Sequence, residues 1–359
     1  MPADFRSDNV LGVSPEILEA LARASAGAMP SYGRDEITAR LRDHCCGLFE
    51  CDVDVFPVLT GTAGNALSIA TLTGNRVSDA GGQAVRDSVV YCHVEAHIIH
   101  DELGAPEFYA RNARIEPVAG ADGKIDPADL ERAIGIASKA GSGGSCLSVA
   151  QATEAGTVYQ PGELAALTAV ARRHGLGVHL DGARFANAVA ALGCSPADLS
   201  WRAGADLLVL GATKNGAFAA ELVVIFRREL SEPFRALWHR GGHRLSKMRF
   251  LSAQLEAYLT GELWLRNASH ANDAAASIAR AIRTLAGVEL VRPVDANVIF
   301  VRLSKTIVQS LRAAGIEFFD WPLFGPDIYR LVAGFQTGAK EIDALVDAMQ
   351  GGRPEPSVI

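Results

Sequence analysis

Between about residues 55 and 230 the chain alternates short apolar runs with longer amphipathic stretches, and this alternation restricts the fold more than any other feature. Residues 53–59, 88–92, 113–118, 146–150, 177–180, 206–210 and 222–226 read as strands, and residues 64–72 and 162–174 as helices between them. Apolar strands separated by helices predict an α/β fold, with a mostly parallel sheet covered on both faces. Ligands of such sheets bind at the carboxyl ends of the strands. The loops that follow these runs are therefore the place to look for chemistry.

The pattern changes after about Gly261. A long helical stretch at 263–285 leads into strands at 288–290, 296–303 and 327–333, with helices at 307–314 and 339–349. We expect residues 1–262 to form an N-terminal segment and a large domain, and residues 263–359 a smaller C-terminal α+β domain. The Gly/Ser run at 139–145 reads as a surface loop.

Composition removes several classes of function. With 359 residues, 49% hydrophobic and 21% charged, the chain has ample material for a globular core. A net charge of -7 argues against nucleic acid as a partner, and the basic run at 239–249 is long enough only for one small anion. The start is polar and no apolar run reaches spanning length, so no membrane partner and a cytoplasmic location are expected. Six scattered cysteines without paired CxxC motifs read as reduced thiols.

Three strand ends carry suggestive residues. In Thr60-Gly61-Thr62-Ala63-Gly64-Asn65 a strand turns into a helix, whose free amides and dipole suit an anion such as phosphate. Gly61 would permit close backbone approach and Thr62 would add a hydroxyl; an ordinary Thr-capped helix is the plain alternative. In His179-Leu180-Asp181-Gly182-Ala183-Arg184 an acid follows an apolar strand directly. Asp181 suits a helix cap, a metal or a protonated ring nitrogen, and Arg184 offers a planar fork for a carboxylate. In Gly211-Ala212-Thr213-Lys214-Asn215-Gly216 a lysine stands among small residues. A desolvated lysine is a competent amine nucleophile towards an aldehyde, whereas a lysine on an exposed turn does nothing special. Anion cradle, acid and amine together match the phosphate, pyridinium and aldehyde of pyridoxal 5'-phosphate. No GxGxxG follows the first strand, which argues against a Rossmann enzyme.

With these motifs in view, the chain resembles the L-threonine aldolases of the fold-type-I pyridoxal-phosphate enzymes, and especially their phenylserine aldolase branch. The resemblance also rests on the Ser7-Asp8 opening, Ser31-Tyr32-Gly33 and Ala96-His97 through Gly104-Ala105-Pro106. It implies the fold-type-I architecture and reversible retro-aldol cleavage of L-3-hydroxy amino acids (L-threonine, L-allo-threonine or L-phenylserine) to glycine and an aldehyde. A β-eliminating lyase, an aminotransferase or a non-catalytic relative are the other readings. Lys214 would hold the cofactor through its aldehyde, Asp181 would keep its ring nitrogen protonated, and Gly61 and Thr62 would hold its phosphate. His97 would stack on the ring, and Ser7, Arg184 and Arg330 would bind the substrate carboxylate. Tyr32 and Arg249 would reach the site across a subunit interface, the family being oligomeric, as dimers or tetramers.

Two points stay open. His93, His97, His100, Asp101 and Glu102 have a spacing that could suit a metal on a helix. Ring stacking by His97 accounts for them better, and no metal is expected. Typical threonine aldolases also carry a second histidine in a loop reading roughly Glu-Asn-Thr-His-Asn after the strand at 146–150. Here the loop reads Gln151-Ala152-Thr153-Glu154-Ala155-Gly156. The group that takes the β-hydroxyl proton is then His97, a water it holds, or Glu154, and the change points to a larger or aromatic β-substituent.

Overall fold

The computed structural model describes residues 3–74, 88–110, 113–139 and 145–352. The centre of the expected Gly/Ser loop, 140–144, lies outside the described residues.

Seven strands form the large sheet: β1 (Asp54–Val58), β2 (Ser88–His93), β3 (Ala113–Val118), β4 (Ser145–Ala150), β5 (Gly177–Gly182), β6 (Leu207–Gly211) and β7 (Glu221–Ile225). Their spatial order is β1-β7-β6-β5-β4-β2-β3. The pairs from β3 through β6 are parallel, while β7 runs antiparallel to both β6 and β1. The sequence pattern did not reveal that reversal. Its cause is the short link from β6 to β7, which can close a hairpin but leaves no room for a parallel crossover. Strands β5, β6 and β7 are buried along their whole length, as a sheet covered on both faces requires.

The helix Gly61–Leu72 lies tightly on this sheet. A Cβ at Gly64 would come within 2.7 Å of Val209 Cγ1, so only glycine lets this helix settle so close to β6. The fit brings the first turn of the helix to the strand ends.

The second sheet is antiparallel, in the order β10 (Phe319–Asp320), β11 (Ile328–Val332), β9 (Val298–Leu303) and β8 (Val288–Leu290). The helix Leu263–Ile282 joins the two cores: Leu263, Trp264 and Ala268 are buried with the large sheet, and Ala274, Ala275, Ile278 and Ile282 with the small one. Ala3 and Phe5, grouped with the large unit on sequence, pack into the smaller core instead. Phe5 N–H donates to Glu317 O at 2.8 Å, and Val332 N–H donates to Phe5 O at 2.8 Å. This anchoring delivers Ser7 and Asp8 to the strand ends. Among the described residues, no helix is long and apolar enough to cross a membrane.

Candidate active site

At the start of the helix Gly61–Leu72, Thr60 is the N-cap, its hydroxyl accepting from Ala63 N–H at 3.1 Å. A Cβ built on Gly61 meets no atom within 4 Å, so open space lies against this turn. One turn on, the buried Asn65 donates from Nδ2 to Asp181 Oδ2 at 2.9 Å and to Glu102 Oε1 at 2.8 Å. Asp181 is the penultimate residue of β5 and accepts from Ala183 N–H at 3.0 Å through its other oxygen. A carboxylate held at both oxygens has a fixed direction, which is what pairing with a ring nitrogen requires.

Glu102 carries the network on to His97, whose Nδ1 lies 3.1 Å from Glu102 Oε1. Burial alone would lower the His97 pKa, but the hydrogen bond with Glu102 and the charges of Glu154 and Asp181 outweigh it and raise it. The ring keeps 28% side-chain exposure and its orientation is set by Glu102, so one face is free to stack. His93 and His100 contribute nothing to this network: their Nε2 atoms face Gly120 O at 3.1 Å and Val94 O at 2.9 Å.

Lys214 lies in the turn Thr213–Asn215 that follows β6, the immediate parallel neighbour of β5. The turn is clamped on several sides. Asn215 Nδ2 donates to Tyr258 Oη and to Trp264 O, both at 2.8 Å, and Tyr258 Oη donates to Gly211 O at 3.1 Å. Ser14 N–H donates to Gly216 O at 2.8 Å, where φ of 116° demands glycine. The half-buried Lys214 acts electrostatically on His97, Asp8 and Glu221, which places its ammonium in the same cluster.

Two arginines approach from different sheets. Arg184, following β5, makes a bidentate pair with Asp8, Nε to Oδ2 at 2.8 Å and Nη2 to Oδ1 at 2.9 Å. Burial would raise the Asp8 pKa; the charges of Arg184 and Lys214, with hydrogen bonds from Arg184 and Asn297, hold it below the ordinary value. Arg330, on β11, lies over Trp321 at 4.2 Å and donates from Nη2 to Arg6 O at 3.2 Å. Its Nε is buried without a partner, and burial followed by the charge of Arg184 lowers its pKa. Ser7 stands beside Asp8, its hydroxyl accepting from Asn9 N–H at 3.1 Å.

Glu154 belongs to the same cluster. Residues 151–159 are buried except for Glu154, which lines a cavity with His97, Ser148, Tyr159 and Asp181. The loop around it is rigidly tied: Gln151 exchanges hydrogen bonds with the Tyr159 backbone at 2.8 and 3.0 Å, and Thr153 Oγ1 meets Thr157 Oγ1 at 2.7 Å.

The structure thus brings Gly61, Thr62, His97, Asp181, Arg184, Lys214, Arg330 and Ser7 to one end of the large sheet. Tyr32 and Arg249 lie elsewhere. Tyr32 is 47% exposed under Arg244 at 5.7 Å, and Arg249 stands over Phe250 at 5.1 Å with Nη2 near Gly27 O. None of these contacts is to a residue of the Lys214–Asp181 cluster. Asn65, Glu102, Asp8 and Asn297 had no assigned role on sequence. Asp8, Asn65 and Glu102 stand within the quoted motifs, so neighbourhood hinted at them; Asn297 gave no comparable sign.

These residues fit pyridoxal phosphate: open space at a helix N-terminus, an acid fixed at both oxygens, and an amine on the adjacent strand.

Comparison with known proteins agrees. The beta-eliminating lyase family model matches residues 4–306. A low specificity L-threonine aldolase of Pseudomonas aeruginosa is 41% identical over 345 residues, covering 95% of each chain. The solved threonine aldolase of Leishmania major superposes with a TM-score of 0.87 at 26% identity, covering 98% of this chain and 99% of that one. Oryza sativa TDC, solved with PLP and tryptamine, shares the fold alone, with a TM-score of 0.77 at 13% identity and coverage of 98% and 83%. The chain is therefore a fold-type-I protein of the beta-eliminating lyase family, in the group that includes the L-threonine aldolases.

Proposed function

We propose that this protein cleaves L-3-hydroxy amino acids reversibly to glycine and an aldehyde, with pyridoxal phosphate held by Lys214. The observation that carries this reading is the pairing of Asp181 and Lys214 at the carboxyl ends of adjacent parallel strands. The family match and the aldolase relatives support it.

Bound pyridoxal phosphate would supply an electron-withdrawing ring for the electrons of the breaking Cα–Cβ bond. The protein's own residues do the rest. The amides around Gly61 and Thr62 hold the phosphate, Asp181 keeps the ring nitrogen charged, and His97 lies against the ring. Arg330 takes the substrate carboxylate, its Nε lacking a protein partner, and Arg184 and Ser7 complete that end. Holding the carboxylate aligns the bond to be broken, which is an orientation effect. The β-hydroxyl proton passes to Glu154 or to His97, which line the same cavity. Glu154 occupies the loop where typical relatives carry histidine, and we read the change as favouring a bulkier, aromatic β-substituent such as that of L-phenylserine.

A panel of L-threonine, L-allo-threonine and L-phenylserine, with D-isomers as controls, tests the reading. Glycine and aldehyde in equal amounts are expected from the L-isomers, and a Lys214→Ala variant should lose the bound-cofactor absorbance and nearly all turnover. The family description favours a second reading, β-elimination. Ammonia and a keto acid in place of glycine would establish it and sink the first.

We further propose a homo-oligomer, dimer or tetramer, in which Tyr32 and Arg249 serve the neighbouring subunit's site. Their contacts, which are to residues outside their own chain's cluster, support this. Mixing two inactive variants, Arg249→Ala and Lys214→Ala, should restore part of the activity. Complete absence of rescue in a proven mixed oligomer would rule it out.

A further inference from the structure

A buried acid that the proposed reaction does not use lies beneath the lysine turn. Glu221 opens β7, opposite Gly211 of β6 and Val58 of β1, and is 7% exposed. Its Oε2 accepts Ala212 N–H at 2.6 Å, and Thr213 also hydrogen-bonds to its carboxyl through backbone and hydroxyl. Thr213 is further tied to β7, since Ala220 N–H donates to its Oγ1 at 3.2 Å. The donors that this acid accepts thus come from the two residues immediately before Lys214. The other clamps on the turn, Asn215, Tyr258 and Ser14, grip it after Lys214 or at Gly211. Apolar packing could hold a strand start here, but a carboxyl in an apolar sheet costs free energy unless its acceptor capacity is needed.

We propose that Glu221 is a positioning residue for Lys214: its carboxylate fixes the backbone ahead of the lysine and sets how firmly that lysine holds the cofactor as pH changes. The proposal rests on Lys214 being the cofactor lysine. Burial, partly offset by the Ala212 and Thr213 hydrogen bonds and by the charge of Lys214, pushes the Glu221 pKa up to about 7. The charged and titratable groups around it are Lys214, from the same turn, and Tyr258, from the helix Arg249–Leu259. Burial raises the Tyr258 pKa far above neutrality, so Tyr258 stays neutral in this range. Glu221 is therefore the group of this clamp that changes charge near neutral pH. The ionised form is the stronger acceptor for the two amides and an anion beside the ammonium. Its raised pKa also means that the folded state favours the neutral acid. That stabilisation is complete below the unfolded carboxyl range and is lost as pH rises through about 7.

The test uses the holoenzyme and three variants: Glu221→Gln, Glu221→Asp and Lys214→Ala. Bound-cofactor absorbance is titrated between about pH 6 and 8, and the rate of cofactor release into excess scavenger is followed at each pH. Wild type should show a step near neutrality in both. Glu221→Gln, close in shape and uncharged, should flatten the step and release cofactor about tenfold faster at the alkaline end, the effect of weakening charged hydrogen bonds. Its melting temperature relative to wild type should also rise from the acidic to the alkaline end. Glu221→Asp, with the charge drawn back by one methylene, should keep the step but release faster. A wild-type step and rate in Glu221→Gln overturns the proposal; should that variant not fold, a wild-type release rate in Glu221→Asp does so. Retention of the bound-cofactor band in Lys214→Ala would instead overturn the lysine assignment, whatever the Glu221 variants show.

Discussion

The two arginines of this cluster, close enough to act on each other electrostatically, have opposite hydrogen-bond arrangements. On the large-sheet side, Arg184 is closed off: two of its nitrogens are locked on Asp8, whose Oδ2 also accepts from Asn297 at 3.1 Å. On the small-sheet side, Arg330 is left open, with Nε buried and unpartnered and a Trp321 ring beneath it. An unsatisfied buried donor costs roughly 1–3 kcal/mol, which an incoming carboxylate would relieve. The contrast supports the proposal that Arg330 is the main contact for an incoming carboxylate. Arg184 becomes a rigid neighbour whose charge Asp8 already balances.

Asp8→Asn tests the closed side and should have the largest effect. It leaves the buried Arg184 without its anion, and loss of one partner of such a pair costs about 3–5 kcal/mol. The denaturation midpoint of the variant should fall accordingly; an unchanged midpoint would mean that Arg184 and Asp8 are separately solvated. Arg330→Met sharpens the open side with a smaller and different effect. A charged hydrogen bond to substrate is worth roughly 1.5–3 kcal/mol, so KM should rise about tenfold or more with little change in stability. The reverse result, a large loss of stability with KM unaltered, would make Arg330 the structural member of the two. Any gain in stability would reflect the release of a cation that burial and Arg184 already disfavour.

Much of this could be read in the order of residues. The strands at 113–118 and 288–290 coincide with β3 and β8, and the other strand boundaries fall within about two residues, because apolar runs flanked by turn residues are local signals. Asp181, Lys214 and Arg184 were legible for the same reason: each stands at or shortly after the end of an apolar strand, and the carboxyl edge of a parallel sheet is where ligands bind. The Glu154 loop was visible as a departure, although its rigidity and its place beside His97 were not. Helices at Pro15–Ala24, Glu36–Phe49, Pro127–Lys139, Phe185–Leu192, Ser231–Arg240 and Arg249–Leu259 were not singled out on sequence, whether they lie within the strand–helix alternation or on either side of it.

What sequence alone determined is the set of chemical groups and the strand ends that carry them, since covalent neighbourhood and period are enough to place a residue on an edge. Only the tertiary structure decided which groups meet. The partners span the chain: Asp8 with Arg184, Asn65 with Asp181 and Glu102, Glu221 with the turn before Lys214. Pairings so distant in sequence leave no local pattern, and they depend on a buried setting where an unmatched polar group is costly. The same burial that places Glu221 under the lysine turn moves its titration towards neutrality, a property that no run of residues around position 221 announces.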